Sequence, residues 1–428
     1  MSAARMILLS HPTGNANVQQ AALALSEAGL LEEFWTCVAW NPDASLNRFL
    51  PAKLRQQLDR RALPEPLRGR TRLRPVRELA RHLCECAGLS GLTRHEHGIF
   101  SVDSVYRALD HSVAHRVRRS ENLSAVYAYE DGAAATFAAA KEQGMRCIYD
   151  LPIGYWRVAH TVYNEEKERE PEWAATLSGT KDSAQKLARK DEELSAADLV
   201  LVASSFTRRT LESAVVKCPV ELVVYGAPTF SAEAPATDRR AGKLRVLFVG
   251  GLGQRKGLSY LLRAVEKLGD TVELTLLGRK TSEQCEPLNV ATQKHRWVPS
   301  LPHAEVLREM GQHDVLLFPS LFEGFGLVIL EAMAQGIPVI TTPHTAGPDV
   351  IRDGVDGFIV PIRSSVAIAQ RLEQLAADPA LLAEMKWAAL ERARQFTWES
   401  YRANLSAAVR NALKAKPEMV THRATPTV

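Results

Sequence analysis

Short, continuously apolar runs alternate with longer amphipathic stretches along the whole chain, and this rhythm restricts the possible folds more than any other feature. In the first half the strand-sized runs are MILLS (6–10), AVYAY (125–129), RCIYD (146–150), LVLVAS (199–204) and VELVVYG (220–226). In the second half they are LRVLFV (244–249), VELTLLG (272–278), DVLLFPS (314–320) and PVITT (338–342). Runs that are apolar throughout fit strands buried on both faces, and strand–helix–strand repetition implies parallel sheets with helices on each side. A chain of 428 residues is too long for one core, so two domains of roughly 200 residues each are expected. The segment 229–243 is rich in proline, alanine and charge and has no hydrophobic period, as a linker should be. It divides a Rossmann-like domain, 1–228, from a second one, 244–396. An amphipathic helix over 397–415 closes the fold, and the aperiodic tail 416–428 is expected to be disordered. Two such domains face each other across a cleft, and open α/β sheets bind ligands at the carboxyl ends of their strands.

Several classes are set aside by composition. No apolar run approaches the ~20 residues that span a bilayer. The apolar part of the N-terminus, 6–9, is too short for a signal peptide and no small-residue cleavage site follows it. The six cysteines are scattered, without the pairing or histidines of a zinc site, which suits reduced thiols in the cytoplasm. A net charge of +4 does not by itself argue for nucleic acid.

The segment LFPSLFEGFGLVILEAMAQGIPVITT (317–342) carries the strongest chemical signal. A strand ends at Pro319, a glycine-rich loop follows, and a helix begins near Leu327. Gly324 and Gly326 let the backbone approach a ligand, and the free amides of a helix N-terminus suit a diphosphate. Glu323 lies in the loop, where it could face a sugar. Glu331, with seven residues between it and Glu323, lies about one turn into the helix, where a carboxylate can accept two ribose hydroxyls. Further back, GGLGQRKG (250–257) begins like a dinucleotide loop. Lys256, however, stands where the third glycine should be, and Gly278-Arg279 stand where an acid should end the next strand, so an NAD site is not expected.

PSLFEGFGLVILEAMAQGIPVI resembles the E-x7-E signature of glycosyltransferase family 4, a retaining family of GT-B architecture. The likeness extends to FVGGLGQRKG (248–257), AADLVLVASSFTRRTL (196–211), VVYGAP (223–228) and AGPDVIRDGVDGFIVP (346–361), and covers nearly all of 196–401. The resemblance implies a transferase moving a hexose-type sugar from a nucleoside-diphosphate sugar to an acceptor hydroxyl, with retention. It assigns the ribose to Glu331, and places Glu323 with the Phe325-Gly326 backbone beside the donor sugar. The amides of Leu327 and Val328 fall to the diphosphate, Lys256 serves as cation on the phosphates, and Arg255 assists it. Gly253 belongs to the same phosphate loop. Gly251 stands where many members have arginine, which puts the usual pair of cations in doubt. No Asp-x-Asp motif ends a strand, so neither metal nor cofactor is expected; the nucleotide-sugar is a co-substrate.

The N-terminal half resembles the family less. Gly14 and Asn15 follow the first strand, as a plain turn and cap or as a loop against the donor phosphates. Asp150, at the end of a strand, and His160, in YDLPIGYWRVAH (149–160), are candidates for contact with sugar or acceptor. Glu130 and Asp131 have similar standing. Residues 51–81 hold ten cations against three acids, a local +7. This stretch is either a solvated loop or a patch for an anionic membrane surface and a lipid-linked or sugar acceptor. It lacks the aromatic interleaving that single-stranded nucleic acid requires. The expected setting is bacterial cell-surface polysaccharide or glycolipid synthesis, in the cytoplasm or peripheral at the inner membrane face. The alternatives are an epimerising nucleotide-sugar hydrolase on the same scaffold and a non-catalytic nucleotide-sugar-binding subunit.

Overall fold

The computed structural model describes residues 5–40, 62–177, 179–228, 230 and 242–414. The linker expected at 229–243, most of which falls outside these residues, and the tail at 416–428 are therefore not described. Seven strands form the first sheet: β1 (Met6–Ser10), β2 (Leu31–Thr36), β3 (Thr71–Leu73), β4 (Leu123–Tyr129), β5 (Arg146–Leu151), β6 (Leu199–Val202) and β7 (Val220–Leu222). Six form the second: β8 (Leu244–Val249), β9 (Val272–Leu277), β10 (Arg296–Val298), β11 (Val315–Phe318), β12 (Val339–Thr341) and β13 (Gly357–Ile359). The orders are β3-β2-β1-β4-β5-β6-β7 and β10-β9-β8-β11-β12-β13, with every strand pairing parallel. Each is a doubly wound sheet whose order reverses once, between β1 and β4 and between β8 and β11. These reversals open the crevices where such sheets take ligands.

β1, β4, β5 and β6, and all the strand-sized runs of the second half, lie where the continuous apolar patches placed them. β7 is shorter than its run, ending at Leu222. Sequence patterning did not reveal β2, β3, β10 and β13. β2 reads LEEFWT, and its Glu33, only 7 % exposed, is tolerated because Trp35 Nε1 donates to it at 2.8 Å and Arg116 pairs with it. β3 lies inside the arginine-rich stretch at the sheet edge, where one side needs no apolar neighbour.

The C-terminal helix Trp398–Lys414 crosses back onto the N-terminal domain. Arg402 pairs with Glu27 at 2.9 Å and bonds Gln20 at 2.7 Å, both on the helix Ala16–Glu27. Tyr225, Trp398 and Tyr401 form a ring cluster with Phe325 of the glutamate loop. Among the described residues no helix is long and apolar enough to cross a membrane.

Candidate active site

The two loops with the strongest sequence signal follow β8 and β11, the neighbouring strands that flank the reversal of the second sheet. Sterics explain their glycines. Gly257 has φ +72°, and a Cβ there would sit 2.1 Å from the Pro319 carbonyl oxygen. At Gly278 (φ +146°) a Cβ would meet the Gly250 oxygen at 1.8 Å. Only glycine lets these turns close on each other, and their closure brings Arg255 and Lys256 beneath the glutamate loop.

Glu323 is the centre of this arrangement. One carboxylate oxygen contacts the Lys256 ammonium and the other accepts from Arg255 at 3.1 Å. The Lys256 side chain is 10 % exposed and its ammonium lies 4.6 Å from the centre of the Phe318 ring. Burial, with the Arg255 charge beside it, pulls the lysine pKa well below its ordinary value. Among the described residues Glu323 is the one carboxylate within ion-pair reach of either cation. A buried lysine and a half-buried arginine thus share one carboxylate, an arrangement that favours an anion beside them.

Glu331, on the helix Val328–Ala334, accepts from or shares a proton with His303 Nε2 at 2.9 Å. That contact raises the His303 pKa. Both line a cleft of about 540 Å³ whose other walls include Leu301, Leu327, Trp398 and Ala16. Ala16 opens the helix Ala16–Glu27, two residues after Gly14, so this loop of the first domain reaches the same cleft. Gly14 takes φ +53° and Asn15 caps the helix by accepting from the Val18 amide at 3.2 Å. Leu327 caps the Val328–Ala334 helix, whose first backbone bonds run from Ile329 to Gly326 and from Glu331 to Leu327. The Leu327 and Val328 amides precede that ladder, as a helix start leaves them. His303 carried no motif, and only its place in the cleft distinguishes it.

The glutamate loop also forms the contact between domains. The Gly324 carbonyl accepts from Ser204 Oγ at 2.5 Å and Thr207 Oγ1 at 3.0 Å. Phe322 is wedged among Tyr163 and Phe206. On the loop after β8, the Gln254 backbone amide donates to the Thr176 hydroxyl at 2.9 Å and its side-chain Nε2 donates to Glu166 at 2.7 Å. Glu166 is held in turn by Arg363 at 2.7 Å. A Cβ on Gly324 would lie 1.8 Å from the Pro152 oxygen, backbone that cannot swing aside. Gly324→Ala is therefore expected to push the domains apart and cut turnover about tenfold, since misplacement by an ångström carries that order of cost or more. Its nucleotide affinity should change little, and steady-state rates beside a binding titration would check this split.

Asp150 stands at the end of β5 but is 5 % exposed, and Tyr127 donates to it at 2.6 Å. Burial, opposed by bonds from Tyr127 and Tyr129, pushes its pKa up to about 7. A carboxyl raised in this way keeps its proton in the fold while the unfolded chain loses it near pH 4. Stability from this group is therefore complete at acid pH and is lost as pH rises towards 7. Asp150→Asn, which keeps an acceptor for Tyr127, should be more favourable relative to wild type at pH 8 than at pH 5 by roughly 2–4 kcal/mol. Urea unfolding at both values measures the difference.

His160 lies on the helix Trp156–Arg169, edge-on to Trp156 at 5.3 Å. Among the described residues its Nε2 is buried without a partner, and burial lowers its pKa. Glu130 pairs with Lys190 at 3.4 Å and burial raises its pKa to about 7. Asp131, at φ +70°, pairs with Lys186 and Lys190 at 3.6 Å. The helix after β4, Ala134–Glu142, has its first amides taken by Asp110 at 2.8 Å and Glu193 at 3.1 Å. One described trio, His95, Glu96 and Asp182, has metal-ligand proximity, but both Glu96 oxygens already accept from Ser183.

Two facing doubly wound domains, with the phosphate-type loops at one reversal, define the GT-B architecture. The family model for glycosyl transferases group 1 matches residues 243–378, within the C-terminal domain. Among curated relatives, a D-inositol 3-phosphate glycosyltransferase of Corynebacterium aurimucosum is 27 % identical over 280 residues, 59 % of this chain and 65 % of that protein. A phosphatidyl-myo-inositol mannosyltransferase of Mycobacterium leprae is 35 % identical over 174 residues, 39 % of this chain and 46 % of that one. The chain thus matches between about half and just under two thirds of these relatives' lengths. Among solved structures, a sucrose-phosphate synthase from Thermosynechococcus elongatus superposes with TM-score 0.67 at 18 % identity, covering 96 % of this chain and all of that one. The Anabaena HepE protein, solved with UDP and glucose, gives 0.62 at 14 %, covering 95 % of this chain and 100 % of its own. At such identities these likenesses speak for the fold.

Proposed function

We propose that the chain is a glycosyltransferase that moves a hexose-type sugar from a nucleoside-diphosphate sugar to an acceptor hydroxyl with retention of configuration. The observation that carries this reading is the sharing of one carboxylate, Glu323, by the buried Lys256 and the half-buried Arg255, on the loops after β8 and β11 that lead to the cleft lined by Glu331. A diphosphate supplies the missing negative charge, and Glu323, freed from the two cations, turns to the donor sugar. The ribose takes Glu331 in place of His303. Gly253, Gly326 and the amides of Leu327 and Val328 line the path of the phosphates.

In the reaction the acceptor oxygen bonds to the anomeric carbon as the bond from that carbon to the phosphate oxygen breaks. The proton of the acceptor passes to the departing phosphate oxygen on the same face, which accounts for retention without a protein nucleophile. Lys256, Arg255 and the helix amides stabilise the charge gathering on the diphosphate, and the contact between domains keeps water out. This chemistry needs no metal ion. Acceptor selection falls to the N-terminal domain, where Glu130 and Asp131 follow β4, Asp150 sits near the end of β5 and His160 lies on the helix after it. The reading places the enzyme in bacterial cell-surface polysaccharide or glycolipid synthesis, on the cytoplasmic side.

Calorimetric titration with UDP and GDP in a chelating buffer tests it. Saturable binding of one nucleotide without metal is expected. Failure of both to bind, with and without magnesium, would remove the donor site from the C-terminal domain.

A further inference from the structure

The helix Val76–Cys86 is mounted with its apolar stripe outward. Val76, Leu79 and Leu83 recur at helical spacing and are 77, 50 and 70 % exposed. The residues it turns inward are Glu78 and Cys84, with Glu78 bound to Arg81 at 2.8 Å and to His82 at 3.2 Å. A surface helix of a globular protein ordinarily does the reverse. The stripe continues into Ile99 and Val102, which are 58 and 56 % exposed. Arg77 fastens the two parts into one surface by donating to the Ile99 carbonyl and the Ser104 hydroxyl, each at 2.8 Å.

Cations border this face. From 68 to 81 there are six arginines and a single acid, Glu78, and beyond them the half-exposed Glu85 pairs with Arg81 at 2.6 Å. Arg70, Arg72, Arg74 and Arg77 are exposed, and Arg72 and Arg74 flank the half-exposed Leu73 on the edge strand β3. Single exposed leucines need no explanation, whereas a contiguous stripe edged mainly by cations does. A second copy meeting this face across a twofold axis would set arginine against arginine. Among the described residues no exposed Phe, Tyr or Trp accompanies the arginines to stack on bases.

We propose that this face docks the protein on an anionic lipid bilayer, with Val76, Leu79 and Leu83 in the headgroup boundary and Arg70, Arg72 and Arg74 on lipid phosphates. Such burial of an amphipathic helix, reinforced by attraction to acidic lipid, is sufficient for peripheral attachment. The inference does not depend on the donor-site reading. Combined with it, docking would present the N-terminal domain to an acceptor carried on lipid.

Flotation of the full chain with phosphatidylglycerol-containing vesicles, against vesicles of phosphatidylcholine alone, is the test. Binding confined to the acidic vesicles and weakened by salt is expected. Leu79→Glu with Leu83→Glu should reduce partitioning roughly tenfold or more, as should the milder pair Leu79→Ser with Leu83→Ser in lesser degree. Arg72→Ala and Arg74→Ala should each cost about fivefold. Nucleotide affinity should be unchanged in all of them, which separates this outcome from misfolding and from failure of the donor site. Absence of vesicle binding, or binding indifferent to the leucine pair, overturns the proposal. Dimerisation abolished by the leucine pair would reassign the face to a second copy of the chain.

Discussion

Lys256→Ala is expected to lower the rate of nucleoside-diphosphate release from a bound donor by roughly two to three orders of magnitude, the scale seen when one preorganised group facing developing charge is removed. The ammonium is held in place rather than left to find its position. Gly257 turns the chain beneath it, Phe318 supports it at 4.6 Å, and its side chain is 10 % exposed. Little water is available to screen its charge, so its effect on a leaving phosphate exceeds what an exposed lysine could exert. Since charge on the leaving oxygen grows towards the transition state, kcat should fall more than affinity for the intact donor. Glu323→Ala is the companion measurement. A transferase loses most of its rate, whereas a nucleotide-sugar sensor without catalysis is indifferent to it. Equal rates for wild type and Lys256→Ala would remove this lysine from the reaction.

Glu331→Ala should weaken nucleotide binding on the order of a hundredfold, because a carboxylate accepting two hydroxyls makes two charge-assisted bonds worth roughly 1.5–3 kcal/mol each before their overlap is discounted. Titration with the nucleotide and with its 2′-deoxy analogue gives the decisive comparison. Wild type should discriminate between the two, and the variant should not. Glu331→Gln should fall between, retaining an acceptor but not the charge. His303→Ala provides the control, since it removes the carboxylate's partner in the free enzyme and leaves Glu331 more accessible. An affinity unaffected by Glu331→Ala would place the ribose elsewhere.

The C-terminal half was legible in its sequence because its chemistry is local. A strand that is apolar throughout, a glycine turn and a short helix put Glu323 and Glu331 in place over a dozen residues, and GGLGQRKG builds its loop from its own glycines. The N-terminal half was less legible. Asp150 ends its strand as the pattern required, yet whether it faces a cleft or a cage of tyrosines depends on Tyr127 and Tyr129 of a neighbouring strand. The strands β2 and β3 escaped because edge and near-edge strands tolerate charge when it is satisfied by a neighbour on the strand and a distant cation, as Trp35 and Arg116 do for Glu33.

The sequence alone determined the two-sheet α/β plan and the residue types of the loops after β8 and β11, since apolar periodicity and glycine conformation are properties of neighbouring residues. Only the tertiary structure decided that Lys256 and Arg255 share one carboxylate, that Gly324 lies against the Pro152 carbonyl, that His303 meets Glu331, and that the stripe of Val76, Leu79 and Leu83 looks outward. Each of these joins residues distant in the chain or depends on which way an element faces. Hydrophobic pattern says that a face will be covered; what covers it is settled by the packing of elements far apart in sequence.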